Sequence, residues 1–197
     1  VDPFEEKESI KKFGKILYQK RQRKGMTLYD AERLVKERNY FGALMVETGE
    51  ADAFISGLTR DYPKTILPSL HTIGVKEGVN RVAGMYIMNT PKGPYFFADA
   101  TVNLNPTAEE LVDIIGLTAN AVKFFNMEPR IALLSYSNFG SSQNASAVKV
   151  REAVAYLHKY YPDLIVDGEI QADFALNPEM LKDKFPFSKL AGKKVNT

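Results

Sequence analysis

Residues 130–157 contain the feature that most constrains how this chain can fold. Residues 131–134 form an apolar run that is too short for a helix and is typical of a strand buried on both faces. A stretch rich in Ser, Asn and Gly leads into residues 145–157, whose apolar positions fall three and four apart, as on one face of a helix. This order of strand, polar loop and helix favours an open α/β sheet with a ligand at the loop. A connection that is rich in Gly and Ser only because it must turn would explain the same pattern.

Composition and charge argue against several classes of function. The net charge of the 197 residues is only +2 and the basic residues are spread out, which argues against a nucleic-acid-binding surface. Cysteine is absent, which excludes disulfides, thiolate metal sites and a cysteine nucleophile. His71 and His158 have no recognisable metal-ligand spacing. No apolar run is long enough to span a membrane and no signal peptide is present, so we expect a cytoplasmic protein.

The two ends of the sequence predict a piece of a longer protein. The chain has no initiator Met and starts directly at a helix-capping pattern, Asp2-Pro3. Its last residues stop where an apolar strand is expected to begin.

Two helices are predicted at the start of the chain. Asp2-Pro3 predicts that the first helix begins there, and the basic residues around Arg21 before Gly25 mark its end, since cations suit the negative end of a helix dipole. Thr27 is predicted to cap a second helix over residues 28–38.

Next comes a second pattern of strand, loop and helix. Residues 40–46 and 53–55 predict short strands, and a helix is expected near Pro63. The loop between them carries Ser56-Gly-Leu-Thr59-Arg60, which offers hydroxyls, an accessible backbone and a delocalised cation to an anionic group. A helix entry with a surface arginine accounts equally for these residues.

The middle of the chain predicts a hairpin followed by a helix. Residues 82–88 and 95–100 have the character of strands, and Thr107-Ala-Glu-Glu110 is a capping box. Asp99 and Asn103 either face a ligand or bond to their own backbone, and the second use is the commoner one for such residues.

Residues 164–173 bring three acidic residues together. Asp167 and Glu169 have the same parity on a predicted strand, which raises the hypothesis of a divalent-metal site with Asp173 nearby. An exposed edge or a subunit contact explains this pattern too, and we assign no metal ligand. A last short helix is predicted to begin at Asn177-Pro178.

Strands that alternate with helices predict the α/β class. We expect a three-layer α/β/α arrangement, with a mostly parallel sheet covered by helices on both faces and one antiparallel hairpin.

Five collinear motifs resemble the phosphate acetyltransferase (phosphotransacetylase) family. They are Arg21-x-x-Lys24-Gly-Met-Thr27, Gly49-x-Ala-Asp52-Ala-x-Ile-Ser56-Gly57, Val102-Asn103-x-Asn105-Pro-Thr-Ala-Glu109-Glu-Leu, Glu128-Pro-Arg-Ile-Ala-Leu-Leu-Ser135-Tyr-Ser137 and Asp167-Gly168-Glu169-x-Gln171-x-Asp173. The segment from Ser56 to Pro63 looks most similar to the form found in the C-terminal domain of bacterial NADP-dependent malic enzymes. The resemblance implies a two-part fold with an acyl-CoA cleft, in which residues 1–66 belong to the first subdomain and residues 67–197 to the second.

The resemblance leaves three functions open. The first is a regulatory domain that binds acetyl-CoA and helps a malic enzyme to assemble; NADP and a divalent metal would then bind elsewhere in the parent, which oxidatively decarboxylates malate. The second is a working transferase that moves acetyl between CoA and phosphate, and the third is an assembly module with a vestigial cleft. The family also implies at least a homodimer, with an acyl-CoA as small-molecule partner. The charge distribution and the short apolar runs predict no nucleic-acid or membrane partner. We favour the first function.

The two polar loops, together with the resemblance for Arg21, give the candidate ligand-binding residues. They are Arg21, Ser56, Thr59, Arg60, Ser135, Ser137 and Ser141. No catalytic residue is assigned, because the family's carboxylate base, with its adjacent Ser and Arg, would lie beyond Thr197. We expect Arg60 and the loop at residues 137–141 to lie across one opening. Because Ser135 and Ser137 alternate, one is expected to bond within the loop and the other to face the cleft.

Overall fold

A computed structural model describes residues 2–75, 77, 79 and 81–197. The chain divides into two compact units, Val1–Gly78 and Val79–Thr197. The division into family subdomains after residue 66 stays a prediction. No helix in the described part of the chain is long and apolar enough to cross a membrane.

The first unit is built from helices around one apolar core. Its helices are α1 (Lys7–Arg21), a 3-10 turn (Gln22–Lys24), α2 (Leu28–Val35), α3 (Arg38–Glu47) and α4 (Tyr62–Thr72). The core contains Phe13 and Leu17 from α1 and Phe41 from α3, and the rings of Phe13 and Phe41 meet edge to face, 5.1 Å between centroids. The predicted end of α1 is confirmed, because Gly25 adopts a left-handed conformation with φ of 84°. Thr27 caps α2 in a capping box with Asp30, as its position predicts.

Residues 40–46 form part of helix α3, so the prediction of a strand there was wrong. An apolar run of this length fits a strand or one side of a buried helix, and here the helix packs against α4. The strand predicted at residues 53–55 is also absent from the described structure. Instead Phe54 covers Gly42, where an added Cβ would lie 2.7 Å from its ring.

The first helix begins later than its capping pattern predicts. Helix α1 starts at Lys7, and Asp2 instead closes a turn in which its Oδ1 atom accepts a hydrogen bond from the Phe4 amide at 3.0 Å. An Asp side chain that bonds two residues ahead favours such a turn over a helix cap.

The second unit combines an antiparallel hairpin with a parallel strand pair. In chain order its elements are β1 (Met85–Thr90), β2 (Gly93–Ala98), α5 (Ala108–Phe124), β3 (Arg130–Leu134), α6 (Ala145–Tyr160), β4 (Ile165–Ile170), α7 (Ala172–Ala175) and α8 (Pro178–Lys184). The predicted hairpin, the capping box before α5, the strand–loop–helix at residues 130–157 and the last helix are confirmed. Helices α5 and α6 pack over β3 and β4 through a core that includes Ile115, Leu133, Val154 and Leu157.

The α/β class is confirmed, although the sheet is less extensive than predicted. Within the described residues the strands form two separate pairs, β1 with β2 antiparallel and β3 with β4 parallel. The last two residues bond to both pairs: the Phe96 amide donates to the Asn196 carbonyl at 2.8 Å, and the Ala132 amide donates to the Thr197 carbonyl at 2.9 Å. These bonds join the hairpin to β3.

Candidate functional site

The loop after β3, residues 135–142, is held against β4 by its backbone. The Ser135 amide donates to the Ile170 carbonyl at 2.9 Å, and the Phe139 amide donates to the Glu169 carbonyl at 2.8 Å. The loop therefore lies at the carboxyl ends of two parallel strands, which is where open α/β sheets bind ligands.

Glu169 anchors this loop from the end of β4. Its side chain is fully buried, and its Oε1 atom accepts hydrogen bonds from the Ser137 hydroxyl at 2.7 Å, the Gly140 amide at 3.0 Å and Nη1 of Arg151 at 2.9 Å. Arg151 comes from α6, so this single oxygen connects a strand, a loop and a helix. The Oε2 atom is buried without a hydrogen-bond partner among the described residues.

Glu169 is held in its ionised form. Burial by itself would raise the pKa of this carboxyl, but the hydrogen bonds from Gly140, Ser137 and Arg151 outweigh burial and lower the pKa below its usual value. The loop therefore encloses a negative charge, and its Gly140 amide and Ser137 hydroxyl already bind an anion that belongs to the protein.

The backbone of the loop takes a conformation that aims the Gly140 amide at Glu169. Phe139 has a φ of 42° and Gly140 a φ of 94°, so the chain turns through two successive left-handed residues. The strained position of Phe139 is stabilised by its ring, which packs against Phe185 and Phe187 with centroids 4.9 and 5.1 Å away.

Asn138 and Gln171 form a second connection, between the loop and the residue that follows β4. The Asn138 side-chain amide donates to Gln171 Oε1 at 2.7 Å, and the Gln171 backbone amide donates back to Asn138 Oδ1 at 2.7 Å. Gln171 also donates from its side chain to the Tyr136 carbonyl at 2.8 Å. Asn138, Arg151 and Gln171 were not among the site residues predicted from the sequence. Glu169 appeared there only in a metal-site hypothesis and in a family motif, without an assigned role.

Asp167 and Glu169 serve different parts of the unit. Asp167 Oδ2 accepts from the buried Ser188 hydroxyl and from the Lys189 amide, both at 2.8 Å, and so holds the segment after α8. Glu169 holds the 135–142 loop. Across residues 2–75, 77, 79 and 81–197, no group of three His, Cys, Asp or Glu side chains is arranged to bind a metal.

Asp99 and Asn103 make a turn after β2. Asp99 Oδ1 accepts from the amides of Gly84 and Val102, both at 3.1 Å, and Oδ2 accepts from the Asn103 amide at 2.8 Å. Asn103 also donates to the Val82 carbonyl at 3.0 Å. The sequence left open whether Asp99 and Asn103 face a ligand or bond to nearby backbone, and the structure shows them bonding to backbone.

The three candidate serines of the second unit lie in one hydrogen-bonded loop. Ser137 is only 2% exposed, and its hydroxyl lies 2.9 Å from the hydroxyl of exposed Ser141. Ser135 is half-buried and accepts from the Ser137 amide at 3.3 Å. Ser135 and Ser137 thus both bond within the loop, and which of them faces a cleft stays a prediction. Binding of an acyl-CoA by these residues stays a prediction.

The other four candidates lie in the first unit. Exposed Ser56 donates to Oδ1 of buried Asn39 at 2.9 Å, and Arg60 lies 3.7 Å from the Glu37 carboxylate, while Thr59 is exposed. The convergence of Arg60 with the 137–141 loop stays a prediction, because these residues belong to different units.

Arg21 is half-buried, and its Nε atom is buried without a hydrogen-bond partner in the described structure. The histidine and tyrosine near it form a pair, since the Tyr40 hydroxyl lies 2.8 Å from His71 Nδ1. Burial, together with the positive charges of Arg21 and Lys24, lowers the pKa of His71.

Comparison with known proteins agrees with the sequence motifs. Residues 1–195 match the profile of the family described as "Phosphate acetyl/butaryl transferase". The chain is 39% identical over 184 residues to an NADP-dependent malic enzyme of Salmonella typhimurium, covering 93% of this chain and 24% of that protein. It is 37% identical over 187 residues to a phosphate acetyltransferase of Clostridium acetobutylicum, covering 91% of this chain and 56% of that protein.

Solved structures show the same likeness. A phosphotransacetylase from Streptococcus pyogenes matches with a TM-score of 0.80 and 38% identity, over 96% of this chain and 56% of that one. The EutD phosphotransacetylase from Staphylococcus aureus matches with a TM-score of 0.79 and 32% identity, over 100% of this chain and 60% of that one. The chain thus spans little more than half the length of these two structures.

Proposed function

The chain belongs to the phosphate acetyl/butaryl transferase family, and we propose that it binds acetyl-CoA as a regulatory and assembly domain of an NADP-dependent malic enzyme. In this proposal the parent protein oxidatively decarboxylates malate, and its NADP and divalent metal bind outside the 197 residues. The identity of 39% to the Salmonella typhimurium malic enzyme over 93% of the chain supports this choice of parent.

The state of the 135–142 loop is the observation that carries a binding role. Ser137 is buried and donates its proton to an ionised carboxylate, so it is not exposed as a nucleophile. The hydroxyls of Ser135 and Ser141 are more accessible, and the anchored backbone holds them in place. Groups of this kind suit the recognition of a polar ligand.

The experiment measures binding and control separately. Isothermal calorimetry of the chain with acetyl-CoA tests binding, and malate oxidation by the full-length parent with and without acetyl-CoA tests regulation. Arg60→Ala should weaken binding and abolish the effect of acetyl-CoA on malate oxidation. Arg33→Ala is the matched control, because Arg33 is an exposed arginine of the same unit whose ion pair within the described residues is with Asp30, at 3.6 Å.

Two results would contradict the proposal. No heat of binding with acetyl-CoA at millimolar concentration would reject the acyl-CoA ligand. If acetyl-CoA binds but malate oxidation by the parent is the same with and without it, the regulatory role is rejected. An acetyl-CoA effect that survives Arg60→Ala rejects only the role of Arg60.

A working acetyltransferase is the second candidate, favoured by the 37% identity to the Clostridium acetobutylicum phosphate acetyltransferase. The parent protein, mixed with acetyl phosphate and CoA, would then form acetyl-CoA and phosphate, which is followed by thioester absorbance. Turnover at a rate typical of enzymes would replace the regulatory proposal, whereas binding without turnover would support it.

The assembly role draws support from strand β1. This strand pairs only with β2 among the described strands, and its residues Tyr86, Ile87 and Met88 are 56%, 43% and 54% exposed. An edge strand with exposed apolar side chains on both faces is an unusual liability for a monomer and suits a two-fold contact with a second copy. We include at least a homodimer in the proposal.

A further inference from the structure

The hydroxyl groups of the 135–142 loop form a chain of hydrogen bonds that begins at Glu169. Ser137 Oγ lies 2.7 Å from Glu169 Oε1 and 2.9 Å from Ser141 Oγ. Distances alone leave the direction of the bond between the two serines open, because either oxygen is able to donate. The remaining partners of each hydroxyl decide it.

The donors and acceptors available to each hydroxyl determine the direction of the hydrogen bond between Ser137 and Ser141. A serine hydroxyl has one proton and two lone pairs, and an ionised carboxylate only accepts. Ser137 therefore gives its single proton to Glu169 and accepts from the Ser142 amide at 3.1 Å. Its second lone pair must receive the proton of Ser141. Ser141 Oγ in turn accepts from the Asn138 amide at 3.1 Å, which leaves it one free lone pair and no free proton.

Ser135 has the opposite character. Its Oγ accepts from the Ser137 amide at 3.3 Å, and its own proton has no acceptor in the described parts of the chain. The same loop thus carries a hydroxyl whose proton is free and a hydroxyl whose proton is committed.

We propose that Glu169 sets the hydrogen-bond polarity of this loop, so that Ser141 accepts a hydrogen bond from the bound ligand whereas Ser135 donates one. The inference rests on the proposed acyl-CoA site and makes it more specific. Ser141 would meet an N–H or O–H group, such as an amide of the pantetheine arm, and Ser135 would meet a carbonyl or phosphate oxygen. Glu169 is a positioning residue, since it acts on the ligand only through Ser137 and Ser141.

The first test needs no ligand. The carboxyl pKa of Glu169 is measured by carbon NMR titration in the wild type and in Ser137→Ala. Because Ser137 donates to the ionised carboxylate, its removal is expected to raise this pKa, and Ser141→Ala is expected to raise it less. A fall in the pKa after Ser137→Ala would overturn the proposal, since it would mean that a protonated Glu169 donates to Ser137. If Ser137→Ala does not fold, Ser137→Cys replaces the hydroxyl by a weaker donor and should shift the pKa in the same direction.

The second test compares two ligands of different polarity. Acetyl-CoA carries amide N–H donors, whereas sulfate has only acceptors at neutral pH. Ser141→Ala is expected to lower acetyl-CoA affinity about three- to tenfold, the loss of one neutral hydrogen bond, and to leave sulfate affinity within about twofold of wild type. Ser146→Ala, at an exposed position bonded to its neighbouring cap Asn144, is the control.

The outcomes separate this inference from the function on which it rests. Equal weakening of acetyl-CoA and sulfate by Ser141→Ala would show that Ser141 donates, and the polarity would be wrong. If the wild type does not bind acetyl-CoA, the proposed ligand fails, while the direction of the Glu169 pKa change still decides the polarity.

Discussion

The carbonyl oxygen of Leu133 lies so close to Gly168 that a Cβ atom added there would be 2.6 Å from it. The two residues are partners in the β3–β4 pairing. Gly168 also has a φ of 150°, which residues with a side chain rarely adopt. The strand that carries both Asp167 and Glu169 can therefore approach β3 only with glycine between them.

Replacement of Gly168 by Ala should destabilise the protein. The new methyl group would meet backbone, which cannot move aside as a flexible side chain does, and we expect a loss of at least about 1–3 kcal/mol in the free energy of unfolding. Urea unfolding measures this loss. Gly116→Ala is the matched control, because Gly116 lies within helix α5 with no atom near an added Cβ, and it should stabilise by about 0.5–1 kcal/mol. Equal effects of the two substitutions would contradict the close approach.

His71 should make stability depend on pH below neutrality. Burial and the positive charges of Arg21 and Lys24 lower the pKa of His71 in the folded protein. In the unfolded chain the same imidazole is protonated near pH 6.5. Between the two values the unfolded state binds more protons, so the free energy of unfolding falls as the pH drops through 6.5 towards the lower folded pKa. Urea unfolding from pH 8 to pH 5 should show this slope.

A His71→Gln variant should lose that part of the slope, because glutamine stays neutral throughout. Proton NMR of the imidazole gives an independent check, since His71 should titrate below its ordinary value. Titration at or above that value would contradict the prediction.

Arg21 should contribute to acyl-CoA binding. In the sequence it occupies the position of an arginine that the resemblance places near the phosphate groups, and its buried Nε atom has no hydrogen-bond partner among the described residues. Arg21→Ala should weaken acetyl-CoA binding by about 1.5–3 kcal/mol, the range for a hydrogen bond to a charged group. Arg23→Ala, at an exposed position two residues away, should leave binding unchanged. If calorimetry gives both variants the same affinity for acetyl-CoA as the wild type, Arg21 does not bind the ligand and serves only at the end of helix α1.

Ile87 should be required for self-association. Ile87→Lys places a charge on the exposed edge strand β1, and the expected result is a shift from dimer to monomer in sedimentation velocity at micromolar concentration. Phe4→Lys is the control, because Phe4 is 69% exposed but lies in the first unit. A wild-type chain that sediments as a monomer would contradict the assembly role.

Local patterns were predicted best where sequence periodicity and capping agreed. At residues 131–157 a continuous apolar run gives way to apolar residues spaced three and four apart, and this change predicted the strand and the helix after it. The capping box of Thr107 and Glu110 predicted the start of α5. Residues 40–46 gave no such agreement, because seven apolar-rich residues satisfy a strand and a helix alike. Only packing in the first unit selects the helix.

Local sequence patterns could not predict how the loop at residues 135–142 is anchored. Glu169 is separated from Ser137 by 32 residues and from Arg151 by 18, so their contact depends on the pairing of β3 with β4 and on the position of α6. Alternating acids on a strand suggested a metal because the sequence shows charge but not the donors around it. The family-like segment at residues 167–173 does contain Glu169 and Gln171, and that likeness was the available signal for the missed anchors.

The ring of Phe139 packs against Phe185 and Phe187, and this packing orders the loop before any ligand arrives. A flexible loop would lose roughly 1–2 kcal/mol of backbone conformational entropy for each residue that a ligand had to order. Here folding itself has already ordered those residues. A ligand that meets this loop therefore loses mainly its own freedom, and a larger part of the contact energy remains as affinity.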